Sequence, residues 1–307
     1  MLKKRILPTL SILAIITMIC TALSKFHWTF DMIAHFRVYY WLAFVGLTAL
    51  AIYLKERTWI ISNLLFVVLI GIGFTKFYIP RFEVTGNDFR ICSMNVLSTN
   101  RDFQKALDVI NEEDPAILVI QELSPPWVQQ FKALDKKYPY QKLAPQNGNF
   151  GLGIYSKFPM SNTEIKMLCD VEIPTIITDI EIDNKTITVI GTHPTPPLIH
   201  GFYNRNTQFR NLNKLVKEQK NPVILTGDLN CTSFSYSLNL LTDGANLKDT
   251  RLGFGLQPTW SSDIPLVNIP IDHCFISEEL KTANRRVGNS TGSDHHPIIV
   301  DIGWKYE

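Results

Sequence analysis

Polar side chains that can bind a cation or move a proton stand at the ends of nearly every strand-like segment of this sequence. In the segment GTHPTPP, His193 follows the alternating, β-branched run KTITVI, a strand pattern. Three prolines follow within four residues and exclude both helix and ladder pairing. A histidine on so rigid a strand end has the fixed position that acid–base chemistry requires. The other strand-end residues of this kind are Asn95, Glu122, Asp228, Asn230, Asp272, Asp294 and His295.

For each of these residues taken singly, the alternative is turn chemistry. Asp and Asn are common in turns, so GDLN, which contains Asp228 and Asn230, also fits an ordinary turn. Glu122 differs, because a carboxylate that closes the apolar run AILVIQ would be buried without a partner such as a metal ion. Strand ends of a packed sheet gather on one rim, and we therefore expect these side chains to converge on one site.

The elements that must position these residues alternate from Phe89 onward. Strand patterns are FRICSMNV, AILVIQEL, FGLGIYS, PVILTGDLN, IDHCFIS and HPIIVDIGW. TIITDIEIDNKTITVIGTH predicts a hairpin that turns at Asp183–Asn184. Helix patterns are RDFQKALDVINEE, SPPWVQQFKAL with Ser124 as its N-cap, and GFYNRNTQFRNLNKLVKEQK. Hairpins mixed into this alternation predict an α/β fold of the four-layer α+β type: two packed mixed β-sheets flanked by helices, in one domain over residues 82–307.

Three uncharged apolar runs precede this domain, at Ile6–Leu23, Val38–Leu54 and Thr58–Thr75. Each has about the length that a helix needs to cross a hydrocarbon core. Residues 1–81 are therefore predicted to be a membrane segment with three transmembrane helices. The first run also resembles a signal peptide. Its cleavage would leave two membrane spans and would keep the domain on the same side of the membrane.

Charge predicts the orientation of these helices. The cluster KKR near the N-terminus and Lys55–Arg57 between the second and third runs belong inside. The domain is then predicted to lie on the periplasmic or extracellular side of a bacterial inner membrane.

The two parts of the chain also differ in net charge. Residues 1–81 hold nine Lys or Arg against Asp31 and Glu56, whereas residues 82–307 hold the other 21 against 26 acidic residues. A domain with a formal net charge of −5 does not attract a polyanion as a whole, which argues against tight nucleic-acid binding by counterion release. The balance suits carboxylates gathered around a cation. The five cysteines lack the spacing of a zinc site, and the sequence does not decide their disulfide state.

Taken together, the motifs resemble those of the endonuclease/exonuclease/phosphatase family, metal-dependent phosphodiesterases that share the fold of the DNase I type nucleases. The matching stretches run from about Arg90 to Asp301 in the family's order: SMNV, VIQE, GIYSK, GTHPTPP, GDLN, PTW, IDHCF and SDHHP. No single stretch is specific, but eight in order are. The form HPTPP together with membrane helices resembles a membrane-bound bacterial branch of the family.

The resemblance implies a metal site. Glu122 is similar to the central ligand of a hard divalent ion, Mg²⁺ with Mn²⁺ as the alternative. Asn95 resembles the family's amide near that metal, and Asp294 its late carboxylate. His273 and His296 each neighbour a matched residue and point to the opposite face of a strand, so we predict that both are supports.

The resemblance also implies the catalytic roles. Asp228 and Asn230 match the pair that orients the attacking water and holds the phosphate. Asp272 would fix the tautomer of His295, which would contact the phosphate or transfer a proton. His193 matches a second catalytic histidine that protonates the leaving group. The alternative for His193 is a structural histidine bonded to the backbone.

These observations predict a membrane-anchored, divalent-metal-dependent phosphodiesterase or nuclease-type hydrolase. It would cleave a phosphodiester or phosphomonoester by attack of metal-activated water. The substrate stays open among nucleic acid, a lipid head group and a small molecule, because the fold does not choose among them. The lipid bilayer is the second expected partner, and no protein partner is implied. The alternative function is a catalytically inactive binding or scaffold domain, which the full set of retained ligands disfavours.

Overall fold

The computed structural model describes residues 2–80, 88–264 and 267–305. The predicted boundary between the membrane segment and the domain, at residues 81 and 82, lies outside the described residues.

Four helices precede the first strand. They are α1 (Leu2–Ala22), α2 (Trp28–Ala34), α3 (Arg37–Leu54) and α4 (Arg57–Tyr78). α3 and α4 are long and apolar enough to cross a membrane, and few of their side chains are buried. The apolar part of α1, Ile6–Ala22, is shorter, and the first of the three predicted spans stays a prediction. The sequence patterns did not predict α2.

The described residues after α4 form two six-stranded sheets, which confirms the predicted architecture. The first has the order β11 (Leu280–Val287), β12 (Ile298–Trp304), β1 (Phe89–Asn95), β2 (Ile117–Gln121), β4 (Leu152–Ser156) and β3 (Tyr140–Ala144). The second has the order β5 (Met160–Met167), β6 (Pro174–Ile182), β7 (Lys185–Thr192), β8 (Val223–Asp228), β10 (Asp272–Ile276) and β9 (Lys248–Asp249). Both sheets are mixed, with β1–β2 and β7–β8 as the parallel pairs.

The strand alternation builds the layers. In β1, Ile91 faces the core between the two sheets, whereas Cys92 faces the outer helices, as the two-residue period requires. The helices of this part are α5 (Phe103–Glu113), α6 (Pro125–Phe131), α7 (His200–Glu218) and α8 (Asn239–Thr242). α5 and α6 cover the first sheet, and α7 covers the second.

Local sequence signals specify several boundaries. The β6–β7 hairpin turns at Asp183 and Asn184, both with positive φ, as predicted. Ser124 occupies the N-cap position of α6, although its side chain makes no capping hydrogen bond. β12 begins at Ile298, so Asp294 and His295 lie in the loop before it rather than in the strand itself. The strand patterns named above do not include β3, β5, β9 and β11.

Candidate active site

The parallel strand pairs bring the predicted residues to one rim. β1 ends at Asn95, and its parallel neighbour β2 is followed directly by Glu122. β12 runs antiparallel to β1 and pairs Ile298 with Ser93, so the loop before β12, which carries His295, reaches the same edge. Asn95, Glu122 and His295, which are far apart in the chain, therefore lie at the same edge of the first sheet.

The second sheet presents its residues at the facing rim. β7 is followed by His193, and its parallel neighbour β8 ends at Asp228. β10 is antiparallel to β8 and pairs Asp272 with Asp228, so it begins where β8 ends. The two sheets pack with these ends together, and the side chains of the two rims are within hydrogen-bonding distance of one another.

Glu122 is a buried carboxylate with neutral partners only. Its Oε1 accepts from Asn95 Nδ2 at 3.1 Å and its Oε2 from the Ser98 backbone N–H at 2.9 Å. Only 7% of the residue is exposed, and no Lys or Arg among the described residues forms an ion pair with it. Its backbone has φ +58°, a left-handed conformation that costs a non-glycine residue free energy and is typical of functional sites.

Asp228 joins the two rims. Its Oδ2 lies 3.2 Å from Asn95 Nδ2, 3.2 Å from His193 Nε2 and 3.5 Å from His295 Nε2. Its Oδ1 accepts from the Asn230 backbone N–H at 2.9 Å. Burial opposes ionisation, but the charge of His295 and the hydrogen bond from His193 hold the pKa of Asp228 well below its ordinary value.

His295 lies between two carboxylates. Its Nδ1 donates to Asp272 Oδ2 at 2.9 Å, and its Nε2 faces Asp228. Burial disfavours the charged ring, but the two carboxylates outweigh burial and raise the pKa of His295 to about 10. Asp228, Asp272 and His295 each place a potential ligand atom within 4.8 Å of the others. An imidazole must be neutral to ligate a metal, so the charged form of His295 supplies positive charge at this rim and does not ligate a cation.

The ring of His193 contacts polar side chains of the cluster rather than the backbone. Its Nε2 lies 3.2 Å from Asp228 Oδ2 and 3.3 Å from Asn230 Nδ2, and its ring packs against Phe150. Burial lowers and the hydrogen bond with Asp228 raises the pKa of His193, with a net rise above the ordinary value. Asn230 has a left-handed backbone conformation, and its side-chain Nδ2 donates to Pro194 O at 2.9 Å. This hydrogen bond holds Asn230 beside the segment that carries His193.

Asp294 lies at the edge of this cluster. It is half-buried, and its Oδ2 accepts from the Trp260 indole Nε1 at 3.0 Å. The hydrogen bonds of its described side chain reach neither Asn95 nor Glu122. Its assignment as a metal ligand stays a prediction.

Among the described residues, the two neighbouring histidines make no side-chain hydrogen bond with the cluster. His273 is fully buried, and its Nε2 lies 2.6 Å from Cys231 O. Burial and the charge of Arg251 lower the pKa of His273 to about 3, so the ring is neutral and structural. His296 is half-buried, and its backbone N–H donates to Thr259 O at 2.9 Å.

Arg205 is a residue of the site that the sequence patterns missed. It is fully buried on α7, and its Nη1 donates to Asn230 O at 2.8 Å. Its Nη2 donates to Asp31 Oδ2 at 2.6 Å, which links α2 to the catalytic loop. The available signal was Asp31 itself, since it is the only acidic residue before Glu56 in an otherwise apolar, basic segment.

The donor set fits a hard divalent cation. Carboxylate oxygens of Glu122 and Asp228 are the ligand type that Mg²⁺ prefers, and Asn95 donates its Nδ2 to both carboxylates. Among the described residues, Glu122 makes no ion pair and no hydrogen bond with a charged side chain, and a buried charge without such a partner is costly. A cation beside Glu122 would offset that cost.

Comparison with known proteins gives a family match, one relative in sequence and two similar solved structures. The profile of the endonuclease/exonuclease/phosphatase family matches residues 92–295, about two thirds of the chain. A UPF0294 protein of Vibrio campbellii is 25% identical over 260 residues, covering 74% of this chain and 82% of that protein. D. rerio TDP2 complexed with a single-strand DNA product has a TM-score of 0.62 at 18% identity, covering 70% of this chain and 98% of that chain. A family protein from Bacteroides vulgatus has a TM-score of 0.60 at 17% identity, covering 72% and 100%.

Proposed function

The chain belongs to the endonuclease/exonuclease/phosphatase family, and from this premise we propose that it hydrolyses a phosphodiester with the help of Mg²⁺ at the site described above. The observation that carries the proposal is the convergence of Glu122, Asp228 and His295, from distant segments of the chain, on one buried cluster. A phosphoester hydrolase needs a metal ligand, a group that orients water and a proton donor in that arrangement.

Glu122, with the amide of Asn95 beside it, would hold the ion, and Asp294 is the further candidate ligand. When bound, the ion supplies positive charge to the phosphate oxygens and lowers the pKa of a bound water. The neutral hydrogen bonds from Asn95 and Ser98 keep the Glu122 carboxylate in one orientation without neutralising it.

The chain's own residues divide the remaining work between them. Asp228, held by the Asn230 N–H, is placed to orient the attacking water, while the charged His295 stabilises the negative phosphate. His193 holds a proton at Nε2 for the leaving oxygen. The water oxygen bonds to phosphorus as the bond to the leaving oxygen breaks, which yields a phosphate monoester and an alcohol.

The membrane location belongs to the same proposal. α3 and α4 carry large apolar side chains on their surface, including Leu42, Ile52, Leu65, Leu69 and Ile72. A contiguous exposed apolar surface of this kind is typical of a membrane or protein contact. Because few side chains of these helices are buried, a soluble core helix is the poorer interpretation.

The test is the loss of metal-dependent hydrolysis on Glu122→Gln. The purified full chain should cleave bis(p-nitrophenyl) phosphate with Mg²⁺ and stop on addition of EDTA. Glu122→Gln should lower the rate by at least about 10²-fold and shift Mg²⁺ activation to higher concentration, because it removes the main charge that holds the ion. The matched control is Glu164→Gln on the exposed face of β5, where the side chain is 59% exposed.

Two outcomes would contradict the proposal. No turnover with any divalent cation would favour an inactive scaffold domain. Wild-type activity of Glu122→Gln at limiting Mg²⁺ would show that the metal is held elsewhere.

A further inference from the structure

An apolar cleft of about 220 Å³ opens beside the catalytic cluster. Asn230 and Trp260 line it, and both also contact the polar site: Asn230 Nδ2 lies 3.3 Å from His193 Nε2, and Trp260 Nε1 donates to Asp294. The rest of its lining is mainly aliphatic, proline and aromatic, and none of the described lining residues is a Lys or Arg.

The cleft has three walls from distant parts of the chain. Pro196 and Pro197, from the motif GTHPTPP, form one wall, and Ile269 and Ile271 form another. The rigid prolines after the catalytic histidine therefore do more than aim its ring. Fixed φ angles keep this wall in place without secondary structure.

The third wall comes from the N-terminal segment. Met32 and Phe36 line the cleft immediately before Arg37, where the candidate span α3 begins. α2 is held against the catalytic domain by the fully buried Asp31–Arg205 pair.

Further contacts fix this wall in place. His35 Nδ1 lies 3.0 Å from Thr232 Oγ1, and the Tyr39 hydroxyl donates to Asn268 O at 3.0 Å. The wall is therefore part of the folded structure.

The rim of the cleft is also apolar. Leu198, a lining residue, is 54% exposed, and Ile199, the next residue in the chain, is also 54% exposed. Large aliphatic side chains left in water beside the start of a candidate span are typical of a lipid-facing surface.

We propose that this cleft binds the apolar chain of a membrane phospholipid-type substrate while its phosphate enters the catalytic cluster. The inference rests on the proposed function and names its substrate class. The shared residues Asn230 and Trp260 give the required geometry, because an amphiphile has its phosphate and its chain adjacent. A nucleic acid is the poorer occupant, because no Lys or Arg among the described lining residues could meet a second phosphate and the domain is acidic.

The test compares two esters with the same leaving group, p-nitrophenyl dodecyl phosphate and p-nitrophenyl methyl phosphate, on the full chain in phosphatidylcholine nanodiscs with Mg²⁺. We expect kcat/KM to be at least about 100-fold higher for the dodecyl ester than for the methyl ester. Burial of two methylenes raises the affinity roughly 10-fold, so four buried methylenes account for this difference. Partitioning into the bilayer also favours the long ester, so the variant below is required.

Met32→Trp fills the cleft and should reduce the dodecyl-to-methyl ratio by at least about 10-fold. Met167→Trp is the matched control, since Met167 is 51% exposed on β5, outside the cleft lining, and partitioning is equal in both variants. An unchanged ratio in Met32→Trp overturns the inference. A higher kcat/KM for a single-stranded DNA oligonucleotide, with no loss of the ester ratio in Met32→Trp, assigns the site to nucleic acid instead.

A binding readout separates this inference from the proposed function. A dodecyl phosphate with a chain-borne diazirine, irradiated in EDTA, should label the peptides around Met32 and Leu198 in the wild type and lose that labelling in Met32→Trp. Labelling without turnover of either ester would contradict the proposed hydrolysis and support binding of the apolar chain in the cleft. Turnover without labelling would contradict binding of the chain in the cleft and support the proposed hydrolysis.

Discussion

At the scale of single residues, the site depends on how the Asp228 carboxylate is shared between His193 and His295. Asp228 Oδ2 is within 3.5 Å of both His193 Nε2 and His295 Nε2, so two rings that belong to different loops compete for one anion. The two histidines differ in their second partner. His295 has Asp272 at Nδ1, whereas His193 Nδ1 is buried without a hydrogen bond. His295 is therefore the ring with the more firmly held proton, and His193 is the one better able to release it.

Replacing His193 should discriminate between leaving groups. A general acid matters in proportion to the need of the leaving oxygen for a proton. His193→Ala should therefore lose about 10²-fold or more on an alkyl phosphodiester whose leaving group is an alkoxide, and much less on a p-nitrophenyl ester. Steady-state rates on the two substrates measure this difference.

The controls for this prediction are a second variant and a second histidine. Glu122→Gln should damage both substrates alike, because both need the metal, and His200→Ala, on the surface, should change neither rate. Equal losses in His193→Ala, together with a lower Tm, would make the histidine a structural cap of its strand.

The charge of His295 should depend on Asp272. The folded-state pKa of about 10 lies above the ordinary value of about 6.5. The imidazolium therefore stabilises the fold fully below about pH 6.5, and this contribution is lost as the pH rises towards 10. Asp272→Asn should move the titration of His295 to lower pH, which NMR of the metal-free protein can follow ring by ring.

Asp263→Asn is the comparison for this titration, because Asp263 is exposed and is not among the charges that shift His295. An unchanged pKa in Asp272→Asn would show that Asp228 alone holds the proton on His295.

At the scale of elements, α2 acts as a clamp on the loop that follows β8. The Asp31 carboxylate accepts hydrogen bonds from Arg205 Nη2 and from the hydroxyls of Ser235 and Ser237. Burial raises the pKa of Asp31, but His35 and Arg205 outweigh it and hold this pKa below its ordinary value. Arg205 in turn donates to Asn230 O. One buried carboxylate of the N-terminal segment therefore positions the catalytic loop.

Breaking this clamp should destabilise the protein. Asp31→Asn leaves the fully buried Arg205 without a counter-charge, and we expect a loss of about 3 kcal/mol or more in the free energy of unfolding. Chemical denaturation of the full chain in detergent measures it. The double variant Asp31→Leu with Arg205→Met should recover part of the loss, because no unpaired charge remains.

The control for the clamp is a surface ion pair. Asp102 pairs with Lys105 and its side chain is 43% exposed, so Asp102→Asn should cost less than about 1 kcal/mol. A loss in Asp31→Asn no larger than this would mean that α2 is only loosely docked.

At the scale of the whole molecule, the geometry and the charge rule point to the same orientation. The start of α3 and the end of α4 both contact the catalytic domain, through Arg37 with Phe234 O and through Phe77 with Phe234. The α3–α4 loop, with Lys55 and Arg57, lies at the other ends of these helices. If the helices cross a membrane, that basic loop lies on the side opposite the active site.

Reporter fusions test this orientation. Alkaline phosphatase fused to the C-terminus of the full chain in a bacterial host should be active, because that enzyme needs an oxidising exterior. β-Galactosidase fused after Glu56, in the α3–α4 loop, should be active in the cytoplasm. The reverse pair of activities would place the catalytic domain inside and would contradict the charge argument.

Local sequence patterns were enough to predict the layers and the strand ends that carry the site. Two-residue alternation specifies the strands, and strand direction places Asn95 and Glu122 at the rim of the first sheet and His193 and Asp228 at the rim of the second. The β6–β7 turn at Asp183–Asn184 is likewise local, because those residue types tolerate positive φ.

Which side chains pair with one another depended on how the whole chain packs. Asp31 and Arg205 are separated by 174 residues, and no local pattern connects a short helix between apolar runs with a position on α7. The sharing of Asp228 between two histidines, and the apolar cleft between Met32 and Pro197, depend likewise on how the sheets and helices pack. Periodicity describes one element at a time, whereas a site between elements is determined by the distances that packing sets.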